Sequence, residues 1–461
     1  MAIRLKKRDS DMTDGVIWKQ LIDFSIPMAI GLLFQMLYNT VDTVVVGQFV
    51  GKTALAAVGS TNSIINTVIG LFNGLAIGAG VVVSQLYGAH DFGMLKKAVQ
   101  TTILGTMILC AVATAVGILA VPALLRIMSV PEDVVPGAQQ YLTIYFGGVT
   151  GLLLYNIGSG ILRAVGDSRR PLFYLIISAV LNVALDLLFV IGLKMGVAGV
   201  AWATILAQAI SAFLIILSLT RTDAPYGIRW KGIRLYREIV GRIAGIGLPS
   251  GIQQALTSFS NVFVQSYIYA FGTNYMAAWS VYNKLDSFIL IPIQSIGMAS
   301  TTFVGQNFGA KNMPRARKGV RTALCLSVGI TLCCSAIIMG FSRQLLTLFT
   351  DDADVIVLGT KIILLCSPFY FLTCGNQIYG GALRGIGKAK SVMLIMLFSF
   401  VAFRQTYLFC NRTFFGGQVV PTVLGYPIGW FMCTFLLTVA YLRSPICKKP
   451  NTVEPIVEAA E

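Results

Sequence analysis

The chain has 461 residues, of which 56% are hydrophobic and only 12% are charged, and its mean hydropathy is +0.77. Soluble domains carry roughly 25% charged residues, so this composition excludes an ordinary soluble protein and predicts an integral membrane protein. The net charge of +16 would suit a nucleic-acid partner, but the basic residues fall on alternate loops, which argues against one.

Apolar segments follow one another along nearly the whole chain, and each is long enough to cross a bilayer as a helix. They lie at residues 20–46, 55–84, 99–122, 138–162, 171–193, 198–220, 242–270, 277–305, 320–341, 357–383, 391–410 and 418–442. The sequence therefore predicts an all-α integral membrane protein with twelve transmembrane helices. Prolines at 27, 249, 292, 368 and 427 are expected to kink their helices, because proline lacks an amide hydrogen.

The basic residues predict how these helices are oriented. With twelve spans, 27 of the 35 lysine and arginine residues lie on one side of the membrane. Positively charged loops stay in the cytoplasm, so both termini are expected there. We expect a multi-pass protein of the cell (plasma) membrane.

The two halves of the chain form an internal repeat. The segment 85–89 returns as 306–310, and the segment 160–166 returns as 381–387, each 221 residues later. Each half holds six helices, so the halves run in the same sense through the membrane and are expected to be related by a pseudo-twofold axis along the membrane normal. The repeat therefore predicts two six-helix bundles around a central cleft.

The predicted organisation has five parts. They are a cytoplasmic amino-terminal segment (1–18), an amino-terminal bundle (19–221), a cytoplasmic linker (222–241), a carboxy-terminal bundle (242–443) and a cytoplasmic tail (444–461).

Acidic residues inside spans are the strongest indication of function. Of 19 acidic residues, Asp42, Asp186 and Asp286 lie well inside the predicted helices. An ionised carboxylate in a bilayer costs about 2.5–3.5 kcal/mol, so such a residue is by default a functional candidate. Asn182 precedes Asp186 by one turn and shares its helix face. Together with Asp42, these side chains could bind a proton or a small hard cation.

The second repeat lacks this polar set. Residues 221 positions after Asp42, Asn182 and Asp186 are Phe263, Phe403 and Tyr407. The amino-terminal bundle is therefore predicted to hold the coupling site.

Several of these polar residues also have structural interpretations. Asp42 could reach interfacial water, and Asn182 could form a hydrogen bond between helices. For Asp286 we expect an ion pair with Lys284 or with Arg404, which is itself unusual at such depth. Gln35, Tyr38, Asn39 and Asp42 recur at spacings of three, four and seven, so they form one stripe on the first helix that is expected to line a cavity.

Signatures of other chemistry are missing from the sequence. It contains no Gly-x-x-x-x-Gly-Lys-Ser/Thr loop for nucleotides, no nucleophile elbow and no zinc-binding helix. The only histidine is His90, in a loop. We therefore expect no enzymatic activity, no metal other than sodium at the coupling site, and no cofactor.

Four motifs together resemble the multidrug and toxic compound extrusion (MATE) family. They are the opening from Pro27 to Gly47, the Gln85-x-x-Gly88-Ala89 loop with its repeat, the Leu162-Arg163-Ala164-x-Gly166-Asp167 loop, and Asn182-x-x-x-Asp186. The resemblance extends from Trp18 to Arg443. The acids of the amino-terminal half resemble those of the branch named after the DNA-damage-inducible transporter F, which is usually linked to proton coupling.

The resemblance implies a monomeric antiporter that exports cationic amphipathic organic compounds in exchange for protons or sodium, by alternating access of its two bundles. Its partners would be these small molecules and membrane lipids. By the same resemblance the coupling ion would be bound by Asp42, Asp186, Asn182 and Thr204, and the cavity would be lined by Gln35, Tyr38, Tyr141 and Asn156. The stripe on the first helix adds Asn39 to this cavity. Asp286 and Arg404 are secondary candidates. A sodium-coupled branch of the family carries an acidic residue in the seventh span, and this sequence has none there. Its absence favours coupling to protons, while sodium binding at the coupling site stays an alternative.

Two other functions are compatible with a membrane protein of this kind. A flippase for a lipid-linked saccharide would favour a strongly cationic cleft, whereas the predicted cavity is acidic and rich in amides. A receptor or scaffold would carry a sizeable soluble segment, whereas the loops are short.

Overall fold

The computed structural model describes residues 11–128 and 130–448, without the side chains of residues 62 and 63, and every regular element in this part of the chain is helical. The α-helices are α1 (Ile17–Val45), α2 (Lys52–Gly88), α3 (Phe92–Ile127), α4 (Val135–Gly147), α5 (Val149–Ala164), α6 (Arg169–Asp186), α7 (Gly196–Arg221), α8 (Arg237–Tyr269), α9 (Thr273–Gly309), α10 (Met313–Gly340), α11 (Ser342–Thr347), α12 (Ala353–Cys366), α13 (Tyr370–Gly385), α14 (Ala389–Leu397), α15 (Arg404–Phe414) and α16 (Val419–Leu442). The all-α prediction is confirmed.

Helical stretches of membrane-spanning length lie at the predicted positions. Within the described residues, ten stretches are long and apolar enough to cross a membrane, and the bent pair α4–α5 makes an eleventh. The seventh predicted span coincides with α8, whose 33 residues extend about 50 Å, although α8 is not among the stretches apolar enough to be counted above. Each predicted span therefore has a helix at its place.

One span in each half is broken at the same place in the repeat. Between α4 and α5 the chain bends by 48°, and the cap residue there is Gly148. At the matching place, the 3-10 segment Ser367–Phe369 separates α12 from α13. Pro368 within that segment lacks an amide hydrogen, so the expected break at this proline is confirmed. Prolines 27, 249, 292 and 427 lie inside continuous helices.

The backbone repeats with the same offset of 221 residues as the sequence. Left-handed backbone conformations recur in four matched pairs of residues, namely Gly51 and Gly272 (φ 109° and 111°), His90 and Lys311 (54° and 56°), Gly166 and Gly387 (87° and 86°), and Gly196 and Gly417 (59° and 63°). Side chains other than glycine rarely adopt this conformation. Its recurrence at matched positions confirms the duplication.

The described chain forms two compact units. Unit 1 comprises the chain up to Ile64, Ala79–Gly241 and Gly305–Asn312, and unit 2 comprises Ile65–Gly78, Arg242–Val304 and the chain from Met313 onwards. The middle of α2 thus packs in unit 2, and the end of α9 packs in unit 1.

Inside unit 1, the two copies of the Gln-x-x-Gly motif, which form the last turns of α2 and α9 rather than loops, pack against each other through their glycines. A Cβ atom on Gly88 would lie 1.9 Å from the carbonyl oxygen of Gln306, and one on Gly309 would lie 1.9 Å from the carbonyl oxygen of Gln85. The buried Gln306 side chain also donates to the carbonyl of Ala164 (2.8 Å). These contacts explain why glycine stands at both places.

Within unit 2, the middle of α2 crosses α8 at glycines. A Cβ on Gly74 would lie 2.2 Å from the amide nitrogen of Gly251, and one on Gly78 would lie 2.5 Å from the carbonyl oxygen of Ile243. Small residues at such a crossing let two helix backbones approach closely, as is common in membrane bundles.

We expect Gly88→Ala and Gly309→Ala each to destabilise the protein by about 1–3 kcal/mol, because the added methyl group forces two backbones apart. A fluorescence-detected melt of the purified protein in detergent measures this as a lower apparent Tm.

Gly245→Ala is the matched control, because a Cβ there meets no atom within 4 Å. Equal Tm values for Gly88→Ala and Gly245→Ala would show that the ends of α2 and α9 do not pack as described.

Candidate functional site

Asp42 and Asp186 meet inside unit 1. Asp42 lies in the last turn of α1, and Asp186 is the last residue of α6. Their carboxyl groups are neighbours, within hydrogen-bonding reach of each other. Each acid is followed closely by a π-helical segment, Val46–Val50 after α1 and Leu187–Gly192 after α6. Single π-helical turns are frequent at functional sites, because they reposition the neighbouring side chains.

Asn182 completes a cluster of polar atoms that have no partner. Asp186 is fully buried and Asn182 is 3% exposed. Within the described part of the chain, Asp42 Oδ1, both carboxyl oxygens of Asp186 and both terminal atoms of Asn182 are buried without a hydrogen-bond partner. Nearly all buried polar side-chain atoms in proteins are hydrogen-bonded, so this concentration indicates a place for a proton, an ion or water.

A small cavity continues from this cluster between α1, α5, α6 and α7. It is lined by Gln35, Tyr38, Leu152, Tyr155, Asn156, Leu175, Ser178, Ala179, Asn182, Thr204, Ala207, Gln208 and Ser211. Its volume of about 30 Å³ accommodates one or two water molecules and is far too small for a drug-sized compound. In this conformation the cavity suits an ion with its water.

The other predicted residues lie at different distances from the cluster. Tyr141 on α4 is buried and is a neighbour of both carboxyl groups. Thr204 on α7 lines the cavity and donates its hydroxyl proton to the carbonyl of Val200 (2.9 Å), which leaves its oxygen free to accept. Asn39 is exposed on α1 and does not line the cavity.

Sequence reasoning missed several polar residues of the cavity. Ser178, Gln208 and Ser211 line it, and Ser178 donates to the carbonyl of Ala207 (2.8 Å). Serine is common at contacts between membrane helices, so its type alone does not distinguish these positions. Tyr145 stacks on Tyr141, with ring centroids 6.3 Å apart, and adds a second aromatic ring at this place.

The cluster has the chemistry of a site for a proton or a hard cation. Two carboxyl groups without a donor can share one proton through a hydrogen bond between them. Alternatively, the oxygens of Asp42, Asn182, Asp186 and Thr204 form a set of hard ligands, the type that small hard cations prefer.

The matching places in unit 2 are apolar or already bonded. Phe263 is 49% exposed and packs edge-to-face on Phe259. Tyr407 donates to the carbonyl of Pro421 (3.1 Å). The polar cluster therefore belongs to one copy of the repeat only.

Asp286 does not form the predicted ion pair. It accepts a hydrogen bond from Tyr370, whose hydroxyl in turn accepts one from Tyr282 (2.9 Å). Lys284 is exposed, and its amine lies over the ring of Phe349 instead. The prediction that Asp286 pairs with Lys284 or Arg404 is wrong, because phenol groups already satisfy this carboxylate.

Arg404 is also stabilised without a carboxylate. Its Nη2 donates to Ser260 Oγ (3.0 Å) and to Asn261 Oδ1 (2.8 Å) on α8. Its guanidinium lies 5.1 Å from the ring centroid of Tyr426 and 5.4 Å from that of Phe400. A buried arginine gains stability from such cation–π contacts. These contacts indicate a structural role for Arg404, tying α15 to α8 and α16.

Comparisons with known proteins match both halves of the chain. A model of the MatE family matches residues 27–188 and 249–404, which together are more than half of the chain. The chain is 27% identical over 444 residues to the probable multidrug resistance protein YoeA of Bacillus subtilis (strain 168), covering 95% of this chain and 96% of that protein. It is 28% identical over 439 residues to the probable multidrug resistance protein YpnP of the same strain, covering 94% and 97%.

The structure is similar to the solved outward-facing conformation of a multidrug resistance MATE family transporter of the MOP superfamily. The TM-score is 0.88 at 25% sequence identity, covering 95% of this chain and 97% of that one.

The phenol contacts of Asp286 lead to a prediction about stability. Tyr370→Phe removes the donor to Asp286 and the acceptor for Tyr282, which should destabilise the protein by about 1–3 kcal/mol. The measurement is the apparent Tm in detergent.

Tyr275→Phe is its control, since the Tyr275 hydroxyl makes no hydrogen bond within the described residues. A Tm that falls equally in both variants would contradict the assigned role of Tyr370.

Proposed function

Because the chain belongs to the MatE family, the multidrug and toxic compound extrusion transporters whose motifs it shares, we propose that it is a secondary active antiporter that exports organic compounds, mostly cationic and amphipathic. The observation that carries this proposal is the cluster of five buried polar atoms without partners on Asp42, Asn182 and Asp186. The names of the two Bacillus relatives, both probable multidrug resistance proteins, support export of drugs and toxins rather than an enzymatic role.

The carboxyl pair is the coupling site in this proposal. Two neighbouring carboxylates in an apolar bundle repel each other and have lost their hydration. Binding one proton or one sodium ion therefore removes a large part of this unfavourable electrostatic free energy. Asn182 and Thr204 supply neutral oxygens beside the pair. When water reaches the pair from the other side of the membrane, the bound ion is released.

In this proposal the ion and the substrate stabilise different conformations of the amino-terminal bundle. The cavity beside the acids is too small for an organic substrate, so the substrate requires a wider arrangement of α1, α5, α6 and α7. An ion that stabilises the narrow form therefore disfavours substrate binding, and the reverse follows by linkage. This antagonism is what exchange of ion for drug requires.

The substrate surface is formed by Gln35, Tyr38, Asn39, Tyr141 and Asn156 in this proposal. Gln35, Tyr38 and Asn156 already line the narrow cavity. Aromatic rings attract organic cations through their faces, and amides add hydrogen bonds that tolerate varied partners. Asn39, now exposed, would join this surface when α1 moves.

Alternating access has suitable hinges in this chain. Pro27 interrupts the hydrogen bonding of α1, and the π-helical segments Val46–Val50 and Leu187–Gly192 follow the two acids. Such segments change helix direction at small cost. We further propose that the protein acts as a monomer in the plasma membrane, surrounded by lipid, with both termini in the cytoplasm.

The first functional prediction concerns Asp42. Asp42→Asn should lower gradient-driven export of a fluorescent organic cation from proteoliposomes at least about tenfold, because an amide cannot exchange a proton and binds sodium weakly. Asp186→Asn should have a similar effect.

The matched control is Asp286→Asn, which makes the same change in a span of unit 2 where Tyr370 already satisfies the side chain. If Asp42→Asn pumps as fast as the wild type, the carboxyl pair is not the coupling site.

The second prediction concerns the coupling ion. We expect a pH gradient alone to drive export, and Thr204→Val to retain most of this activity, since a proton shared between carboxyl groups needs no hydroxyl ligand. The measurement compares flux under separate proton and sodium gradients. Transport that requires a sodium gradient and is lost in Thr204→Val would assign the site to sodium instead.

A further inference from the structure

A second cavity lies at one end of unit 2, at the start of α10 and the ends of α13 and α16. It is lined by Arg317, Val320, Arg321, Leu324, Tyr379, Tyr441, Leu442 and Cys447, and its volume is about 130 Å³. This is room for several water molecules or for one compact anion. The transport function proposed above makes no use of it.

The cavity carries positive charge without an internal counter-charge. Arg317 donates through Nε and Nη2 to the carbonyl of Ile446 (2.9 and 2.8 Å), so its guanidinium is held in place while Nη1 stays available. Arg321 makes no hydrogen bond or ion pair within the described residues. The sequence contains no acidic residue from 287 to 350 or from 355 to 453, so α10, α13 and α16 offer these arginines no carboxylate.

A buried tyrosine hydroxyl points to a missing acceptor. Tyr441 is 5% exposed, and its hydroxyl has no hydrogen-bond partner in the described chain. Its polar neighbours are the Cys447 thiol, which is a weak hydrogen-bonding group, the Tyr379 hydroxyl and the Arg317 guanidinium. The ring of Tyr441 is held against Tyr379, with centroids 4.9 Å apart. A buried hydroxyl without a hydrogen bond is unfavourable, and an anion in the cavity would supply the missing acceptor.

The matching positions in the other copy of the repeat carry different side chains. Gln100 stands at the place of Arg321 and donates to the carbonyl of Arg229 (3.1 Å). Gly158 replaces Tyr379 and packs on Ile215, and Thr220 replaces Tyr441 and donates to the carbonyl of Leu217 (2.9 Å). These positions are filled and bonded in unit 1. The cationic cavity is therefore a property of this half and not of the repeat as such.

We propose that this cavity binds a phosphoryl anion, either the headgroup of an anionic phospholipid or a free phosphate. Guanidinium groups match the geometry and charge of phosphate oxygens, and a tyrosine hydroxyl adds a third donor. The cavity lies at the ends of membrane helices, the level at which headgroups meet a protein. It lies at the same end as the basic loops around residues 311–321 and 384–390.

Two probes test the site in the purified full-length protein. Inorganic phosphate is titrated in detergent at constant ionic strength, with binding followed by the apparent Tm. In parallel, the protein is placed in nanodiscs of phosphatidylcholine with or without phosphatidylglycerol, and the retained lipid is counted by native mass spectrometry. Binding of inorganic phosphate alone assigns the site to free phosphate, and retention of phosphatidylglycerol alone assigns it to a headgroup; either result supports the proposal.

Three variants distinguish a specific anion-binding site from diffuse electrostatic attraction. Arg321→Gln should weaken binding about tenfold, and Tyr441→Phe about threefold, because each loses one donor to the anion. Lys318→Gln makes the same change of charge on α10 but lies outside the cavity, so it should change binding less than about twofold.

Two results would overturn the proposal. One is a wild-type protein that binds neither inorganic phosphate nor phosphatidylglycerol. The other is equal weakening in Lys318→Gln and Arg321→Gln, which would mean diffuse electrostatic attraction only.

Discussion

The chemistry proposed for unit 1 depends on the meeting of two carboxyl groups in an apolar bundle. Asp42 and Asp186 come from different helices and lie side by side, with Asn182 one turn away and no donor to satisfy them. Such an arrangement stores unfavourable energy, because desolvation and like charge both oppose it. A proton or a small cation relieves both costs at once. We therefore propose this pair, and not a satisfied polar cluster such as Tyr282, Tyr370 and Asp286, as the site at which ion binding acts.

Duplication provided one backbone for two different chemistries. The left-handed turns recur with the same offset in both halves, and the Gln-x-x-Gly motifs at the ends of α2 and α9 pack on each other through their glycines. On this common frame, unit 1 has an acidic cluster where unit 2 has Phe263 and Tyr407. Unit 2 in turn has a cationic cavity where unit 1 has bonded Gln100 and Thr220. Packing requirements alone would preserve similarity at matched positions, so these differences indicate divided roles for the halves.

Much of the fold could be predicted because it depends on local patterns. Hydropathy determines where helices can span, and a constant offset of 221 residues reveals the repeat without any knowledge of contacts. The prediction that the amino-terminal half alone carries the polar set followed from the same offset. The pairing of Asp286 was predicted wrongly, because opposite charge suggested Lys284 or Arg404 as its partner. The actual partner, Tyr370, is uncharged and lies far away in the sequence, so neither charge nor spacing indicates it.

The sequence by itself determined the helical class, the duplication and the identity of the acids inside spans, since each depends on residue type and spacing along one helix. Only the tertiary structure decided which residues meet. Spacing determines the helix face on which Asp42 lies, but not which helix that face contacts. Asp42 and Asp186 become neighbours only because α1 packs on α6. The exchange of the middle of α2 into unit 2, the narrow volume beside the acids and the unbonded hydroxyl of Tyr441 likewise depend on contacts between distant segments. No local pattern encodes such contacts, because each arises from how whole helices fill space together.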